Sequence, residues 1–528
     1  MAVTLHHLAL EAAERRPDGE AVRCDGEGLG WAELVRRSHG VARALREAGV
    51  RRGDRVAVLL AKSFHVPVAF YGVYAAGGAL VPIDPKAPRS QVVRILNATG
   101  ARHVVTEPAR RGALEALLGD CPEVIHVLGC DGSLPGNVAT TPWPALAELA
   151  SDAPPAANVG GLDTSYIMHT SGSTGEPKLI RHTHASALAF AEWAAAEYGL
   201  SPGDRLTNHS SHHTCFATFD YYAAARAAAT TVVLTPAAMM MPVSLAELLE
   251  REAVSVWYSV PTALVQLLLR GDLDARDLEP LRWVLFAGEV FPQKHLAALM
   301  QQWPQARFSH VYGSTEVNIC TCYHLEAKQK PPAHLPIGRP CSNARALVVD
   351  EGLDPVPTGT PGELLIHGST VMTGYWNDAE RNRESLLHRP APGGFEDTWF
   401  RTGDRVVQAG DGTLAFSGRA DLQVKIRGFR VELEEIEHAL LALDPVQEAM
   451  AVAVPDGQGS SLVRAAVVCA SDSPVSQKTL QDGLRAALPA YALPSTIEQL
   501  TALPRTPTGK VDRKALAARY RAEDPTHD

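Results

Sequence analysis

Basic residues are too few for a nucleic-acid binder. The 528-residue chain has 49 Lys and Arg against 59 Asp and Glu, a net charge of −10, where nucleic-acid binding usually requires a basic excess or stripe. The start, Met1-Ala2-Val3-Thr4-Leu5-His6-His7, lacks a basic segment followed by an apolar core, so no secretory leader is expected. No uninterrupted apolar run reaches spanning length, which argues against a membrane partner. The eight cysteines, Cys24, Cys121, Cys130, Cys215, Cys320, Cys322, Cys341 and Cys469, are scattered without zinc-like pairing, and Cys320-x-Cys322 fits no common metal spacing. Reduced, mostly buried thiols in a cytoplasmic protein are the expectation.

What is present is an ordinary globular composition, 46% hydrophobic and 20% charged, in a chain long enough for two or more domains. Strand-like and helical segments alternate: helix over Glu33 to Gly49, strand over Arg55 to Leu60, a turn at Val81 to Pro85, strand over Arg102 to Thr106. An Ala-rich helix over Ala185 to Tyr198 precedes a second α/β run that ends at strand Trp283 to Phe286. That alternation predicts parallel sheets covered by helices. Pro135 to Gly161 reads as a surface connection. After about Leu335 glycines punctuate short β runs, with a hairpin signal at Gly410-Asp411-Gly412, and beyond Arg419 a small α+β domain is expected.

Five stretches carry chemistry. Thr170-Ser171-Gly172-Ser173-Thr174-Gly175-Glu176-Pro177-Lys178 follows the strand-like Tyr166-Ile167-Met168. Its glycines let backbone N–H groups approach an anion, its hydroxyls add donors and Lys178 adds charge. Leu179 stands where a mononucleotide P-loop needs Ser or Thr. Val311-Tyr312-Gly313-Ser314-Thr315-Glu316 joins an aromatic, a hydroxyl and a carboxylate, suited to a purine, a phosphate and Mg²⁺. Phe400-Arg401-Thr402-Gly403-Asp404 offers an acceptor for ribose hydroxyls. The run from Gly418 to Glu432 interleaves charged and apolar residues, and Leu503 to Arg513 presents Lys510 on a Pro/Gly-framed loop. Taken singly, each reads equally well as a polar loop, a turn or an exposed strand.

In this order the five stretches resemble the adenylate-forming superfamily, and within it the adenylation domains of nonribosomal peptide synthetases. The resemblance runs from Leu29-Gly30-Trp31-Ala32-Glu33-Leu34 to Lys510 and includes Gly362-Glu363-Leu364-Leu365-Ile366-His367-Gly368. It implies a large α/β N-terminal domain with a β-rich subdomain (residues 1–420) and a mobile α+β C-terminal domain (421–528), hinged at Asp421. It also implies that Thr170 to Gly175 and Lys178 hold the β,γ-phosphates, Tyr312 the adenine, Thr315 a phosphate and Glu316 Mg²⁺. Asp404 and Arg419 would hold the ribose, with Gly288 also at the ATP site. Lys510 would reach the substrate carboxylate and the α-phosphate, and Lys425 would face the site once the small domain has turned. His169, Leu179, Ser314 and Glu434 depart from the family's usual Tyr, Gly, Pro and Gly.

Phe219-Asp220 matches the position at which amino-acid-activating members place an aspartate against the substrate ammonium. The remaining pocket positions implied by the motifs are Tyr221, Ala224, Tyr258, Leu285, Ala287, Val311, Ile319 and Cys320, none formally charged. A small neutral amino acid is expected, proline first, then alanine, glycine or serine. His209, His212 and His213 are read as pocket-lining or helix-start residues rather than a metal site. With no attachment serine after Lys510 and no condensation module before Met1, the resemblance implies a stand-alone ligase that meets a phosphopantetheinylated carrier protein in trans. Alternatives are an acyl- or aryl-CoA ligase, against which Asp220 counts, and a catalytically silent relative.

Overall fold

A computed structural model describes residues 2–155, 157–170, 176–326, 329–332, 334–419, 423–456, 460–469, 475–505 and 511–523. Among these, six parallel strands form the centre of a nine-stranded sheet: Arg307–Ser314, Trp283–Phe286, Val256–Ser259, Arg205–Asn208, Thr230–Val233 and Glu20–Cys24, in that spatial order. Asn318–Leu325, Arg339–Pro340 and Glu27–Gly30 add antiparallel edges. An eight-stranded sheet has the parallel order Thr164–Thr170, Ala79–Pro82, Arg55–Val58, His103–Val105, His126–Leu128 and Ala139–Thr141, edged by antiparallel Lys178–Thr183 and Gly374–Tyr375. Central strands such as Trp283–Phe286 are buried along their whole length because helices cover both faces.

Between the two sheets lie helices Trp31–Glu47 and His65–Ala76. Their core takes Val22, Cys24 and Val233 from one sheet and Val56, Val58, Leu80 and Met168 from the other. The second helix is apolar on every side, as a helix enclosed by protein must be. The β-rich segment forms a third, antiparallel sheet in which Phe395–Gln408 pairs with Pro361–Gly368, Leu386–Ala391 and Leu414–Arg419. The smaller C-terminal domain contains the hairpin Gln423–Ile426/Phe429–Glu432. Its three-stranded sheet, Val446–Pro455, Ser461–Cys469 and Thr496–Gln499, packs with helices Leu433–Leu441, Gln477–Ala487 and Arg513–Glu523.

Two local expectations are corrected. Val81-Pro82 is not a turn but the end of strand Ala79–Pro82, whose buried central position leaves no room for one. The stretch from 135 to 161 contains the edge strand Ala139–Thr141 and helix Trp143–Glu148, its alanines and prolines disguising both. No helix among the described residues is long and apolar enough to cross a membrane.

Gly72 permits the close approach of the two central helices. A Cβ there would lie 2.7 Å from Val41 Cβ and 2.9 Å from the Ser38 carbonyl oxygen. Gly72→Ala should therefore cost about 1–3 kcal/mol by overpacking, read as a lower urea midpoint with an unchanged m-value.

Candidate active site

Residues expected at the site converge where the carboxyl ends of the parallel strands open, the usual site of a ligand crevice in open α/β sheets. Asn208 ends one strand, Tyr258 is next to the end of a second, Ala287 follows a third and Val311 lies three residues short of the end of a fourth in one sheet, and Thr170 ends its strand in the other. Thr170 is opposite Lys178 in the antiparallel register. Ser171 to Gly175, Asp421, the expected hinge, and Lys510 lie outside the described residues.

Asp220 sits in a π-helical turn, Phe219–Ala223, a local widening found at functional sites. Its carboxylate is 1% exposed. Oδ2 accepts a hydrogen bond from Asn208 Nδ2 at 2.8 Å, while Oδ1 has no partner among the described residues. Burial pushes its carboxyl above the usual range, against the Asn208 hydrogen bond and the charge of Lys62. Lys62 donates to the carbonyls of Asn208 (2.7 Å) and His209 (2.6 Å), and its own enclosure lowers its ammonium. Neither Lys62 nor Asn208 stands out by motif; each supports Asp220 through folding alone.

Ala224, Tyr258, Leu285, Ala287, Val311 and Ile319 share one apolar cluster with Phe219. Phe216, missed in the sequence, stacks on Tyr258 with ring centroids 4.7 Å apart. Tyr221 and Cys320 do not join this group. One step along the helical turn rotates Tyr221 into the core between the sheets, where its hydroxyl reaches Asn208 at 3.2 Å. Cys320 follows Ile319 in a strand and points to the opposite face, beside Tyr312.

On that opposite face, Tyr312 donates a hydrogen bond to Asp404, and Arg419, its register partner across the antiparallel pair, forms an ion pair with the same carboxylate. Thr315 offers its carbonyl to His182 Nε2 at 2.8 Å. Gly288 has φ +92°, and beside it comes Gly428, at the tip of the C-terminal hairpin. A Cβ on Gly428 would lie 2.2 Å from Val260 Cγ1, so only glycine lets the tip enter.

Hairpin register places Lys425 opposite Arg430 and Gln423 opposite Glu432, so all four share a face. That face meets the crevice. Arg430 Nη1 donates to both Glu316 oxygens at 2.7 and 2.8 Å, and Tyr375 Oη donates to Glu316 at 2.8 Å. Burial alone would raise Glu316, but the Arg430 charge and these hydrogen bonds hold its carboxyl down to about 2. Lys178 Nζ pairs with Glu432 at 2.5 Å. Lys425 Nζ lies 5.9 Å from the Tyr312 ring centroid; its enclosure in the crevice lowers its ammonium while Asp404 opposes that shift. His212 and His213 are buried; His213 stacks parallel to His169 at 5.7 Å and His209 leans on Trp257. Among the described residues these histidines form no group with metal-ligand geometry.

The chain matches the family model "AMP-binding enzyme" over residues 10–376 and the model "AMP-binding enzyme C-terminal domain" over 435–510. It is 32% identical over 514 residues to an L-proline–[L-prolyl-carrier protein] ligase of Pseudomonas fluorescens, covering 97% of this chain and 98% of that protein. It is 31% identical over 527 residues to tyrocidine synthase 3 of Brevibacillus parabrevis, of which it spans 8%. Among solved structures, the amide bond synthetase McbA of Marinactinospora thermotolerans superposes with a TM-score of 0.84 at 25% identity, covering 98% of this chain and 99% of that one. With its two sheets, its ligand crevice and its smaller C-terminal domain all in place, the chain belongs to the AMP-binding enzymes.

Proposed function

We propose that the protein uses ATP to activate a small neutral α-amino acid as its aminoacyl adenylate and then passes it to the phosphopantetheine thiol of a separate carrier protein in the cytoplasm. The observation that carries this reading is Asp220: a buried carboxylate with an unpartnered oxygen at the edge of an apolar cluster. An isolated buried charge is costly, and a substrate ammonium relieves that cost. The similarity to a prolyl-carrier-protein ligase favours proline; alanine, glycine and serine also suit an uncharged cluster, since apolar pockets discriminate by only about 1–3 kcal/mol per methylene.

In the first half-reaction a substrate carboxylate oxygen forms a bond to the α-phosphorus and pyrophosphate leaves. This brings two anions together, so catalysis is chiefly positioning and charge stabilisation. Thr170, the glycine-rich loop and Lys178 would hold the phosphates, Tyr312 and Gly288 the adenine side, Asp404 with Arg419 the ribose, and Lys510 the reacting oxygens. Glu316 suits Mg²⁺: it is a hard oxygen donor already facing a cation, Arg430. Bound there with Thr315 nearby, the ion would offset phosphate charge.

In the observed arrangement Arg430 occupies Glu316 and Glu432 occupies Lys178. We read it as the second orientation of a small domain that begins at 421 and turns about Asp421. The hairpin's own charges stand in for the metal and phosphates, and Lys425 faces the crevice. There the carrier thiol attacks the carbonyl carbon and AMP leaves.

Amino-acid-dependent pyrophosphate exchange should be strongest with proline, and loading should require a carrier protein rather than coenzyme A; activity with acyl or aryl acids alone would overturn the assignment. Lys510→Ala should reduce exchange by about 100-fold or more, whereas Lys425→Ala should spare exchange and slow thiol loading. The ammonium pairs only with ionised Asp220, whose pKa is raised by burial. The amino-acid KM should therefore fall as pH rises through that pKa, with proton release on binding seen by calorimetry in two buffers; Asp220→Asn should abolish both effects. Glu316, depressed from 4.5 to about 2, contributes stability present above pH 4.5 and lost as pH falls through 2. Arg430→Gln should remove about 3 kcal/mol of it at neutral pH and shift the acid-unfolding midpoint upward in circular dichroism.

A further inference from the structure

A second, unassigned set of donors packs against the edge of the apolar cluster, where Cys322 touches it and His324 meets the rings of Tyr198 and Trp283. Strand Asn318–Leu325 is paired with Arg307–Ser314 so that Cys322 lies opposite Val311 and His324 opposite Ser309. A bulge near Tyr312 and Gly313 shifts the register, and bulges re-aim side chains next to functional sites. After it, Cys322 and His324, two residues apart on one strand, share a face. Glu197, the last residue of helix His184–Glu197, closes over them.

One ligand atom from each of Glu197, Cys322 and His324 lies within 4.8 Å of the others. His324 Nε2 is 2.9 Å from Glu197 Oε1, and Nδ1 is 3.0 Å from Ser309 Oγ. Ser309 is itself 0% exposed and 3.1 Å from the Tyr198 hydroxyl. This buried relay orients the imidazole, as outer-shell hydrogen bonds do at metal-binding histidines. The three donors are only partly covered, which leaves an entry path.

We propose that Cys322, His324 and Glu197 bind a divalent cation of the zinc class, with water in the fourth position. A thiolate, an imidazole and a carboxylate together suit zinc or cobalt and not magnesium or calcium, which take oxygen donors. The site is separate from Glu316: Cys322 lies beside Val311 on the face that packs against the apolar cluster, whereas Glu316 lies among the groups meeting the C-terminal hairpin. Bound metal would clamp the end of helix His184–Glu197 to the strand pair that supplies Val311 and Ile319, and so stiffen the amino-acid pocket.

The test uses the full chain, stripped with a chelator, incubated with Zn²⁺ in the presence of excess Mg²⁺ and desalted before metal analysis. About one zinc per chain is expected. Cys322→Ser and His324→Gln should each lose it, and Ser309→Ala should weaken binding about tenfold. Cobalt should give a thiolate-to-metal charge-transfer band that Cys322→Ser abolishes. In the unmodified chain, so that no variant need fold, zinc should protect Cys322 from iodoacetamide while Cys469 reacts at an unchanged rate. No zinc uptake, uptake indifferent to both ligand substitutions, or equal alkylation of Cys322 with and without zinc would overturn the proposal and leave the trio as a hydrogen-bonded triad alone.

Discussion

Glu316 is fully buried, and a buried carboxylate stays ionised only if a cation comes to it. In the structure that cation is Arg430, carried in from the C-terminal domain. Lys178 meets the mirror-image requirement and is answered by Glu432 on the same hairpin face. The architecture of the crevice follows from this compensation. Two parallel sheets deliver charged and polar groups to their carboxyl ends, where they cannot remain unpaired, and a small domain supplies the opposite charges.

A ligand that brings the same charges competes for those positions. In the proposed function a metal ion at Glu316 would take the place of Arg430, and phosphates at Lys178 would take the place of Glu432. Domain orientation and ligand occupancy would then form one equilibrium, in which a bound group shifts the balance only by its preference for one state. The hairpin reaches the crevice through backbone shape as well as charge: Gly428 slides past Val260 where any side chain would collide.

Sheet alternation divides the labour within the crevice. Val311 and Ile319 face the apolar cluster, while Tyr312 and Cys320, their chain neighbours, face the side occupied by Asp404. One pair of strands therefore supplies both faces, and in the proposed function both halves of the ligand, without a separate scaffold for each. Asp220 joins the two by presenting an unpartnered oxygen at the edge of the apolar group, held there by Asn208 and, through the 208–209 backbone, by Lys62.

Much of this was legible from residue order. Alternating apolar and helical periods predict parallel sheets, because both patterns are local consequences of burial on one or two faces. The glycine- and hydroxyl-rich loop shows in the composition, whereas Tyr312 to Glu316, Asp404 and Asp220 are picked out only by the resemblance to the adenylate-forming superfamily. What spacing does not encode is which neighbour a side chain faces across the fold. Tyr221 packs in the core between the sheets, Phe216 packs against the apolar cluster instead, and Lys62, more than 140 positions from Asn208, came to hold its carbonyl. Arg430 and Glu432 read as an exposed strand until the hairpin register put both on the face that meets Glu316 and Lys178. Side-chain type and local period belong to the chain; the pairing of buried charges is decided only when distant segments exclude water together.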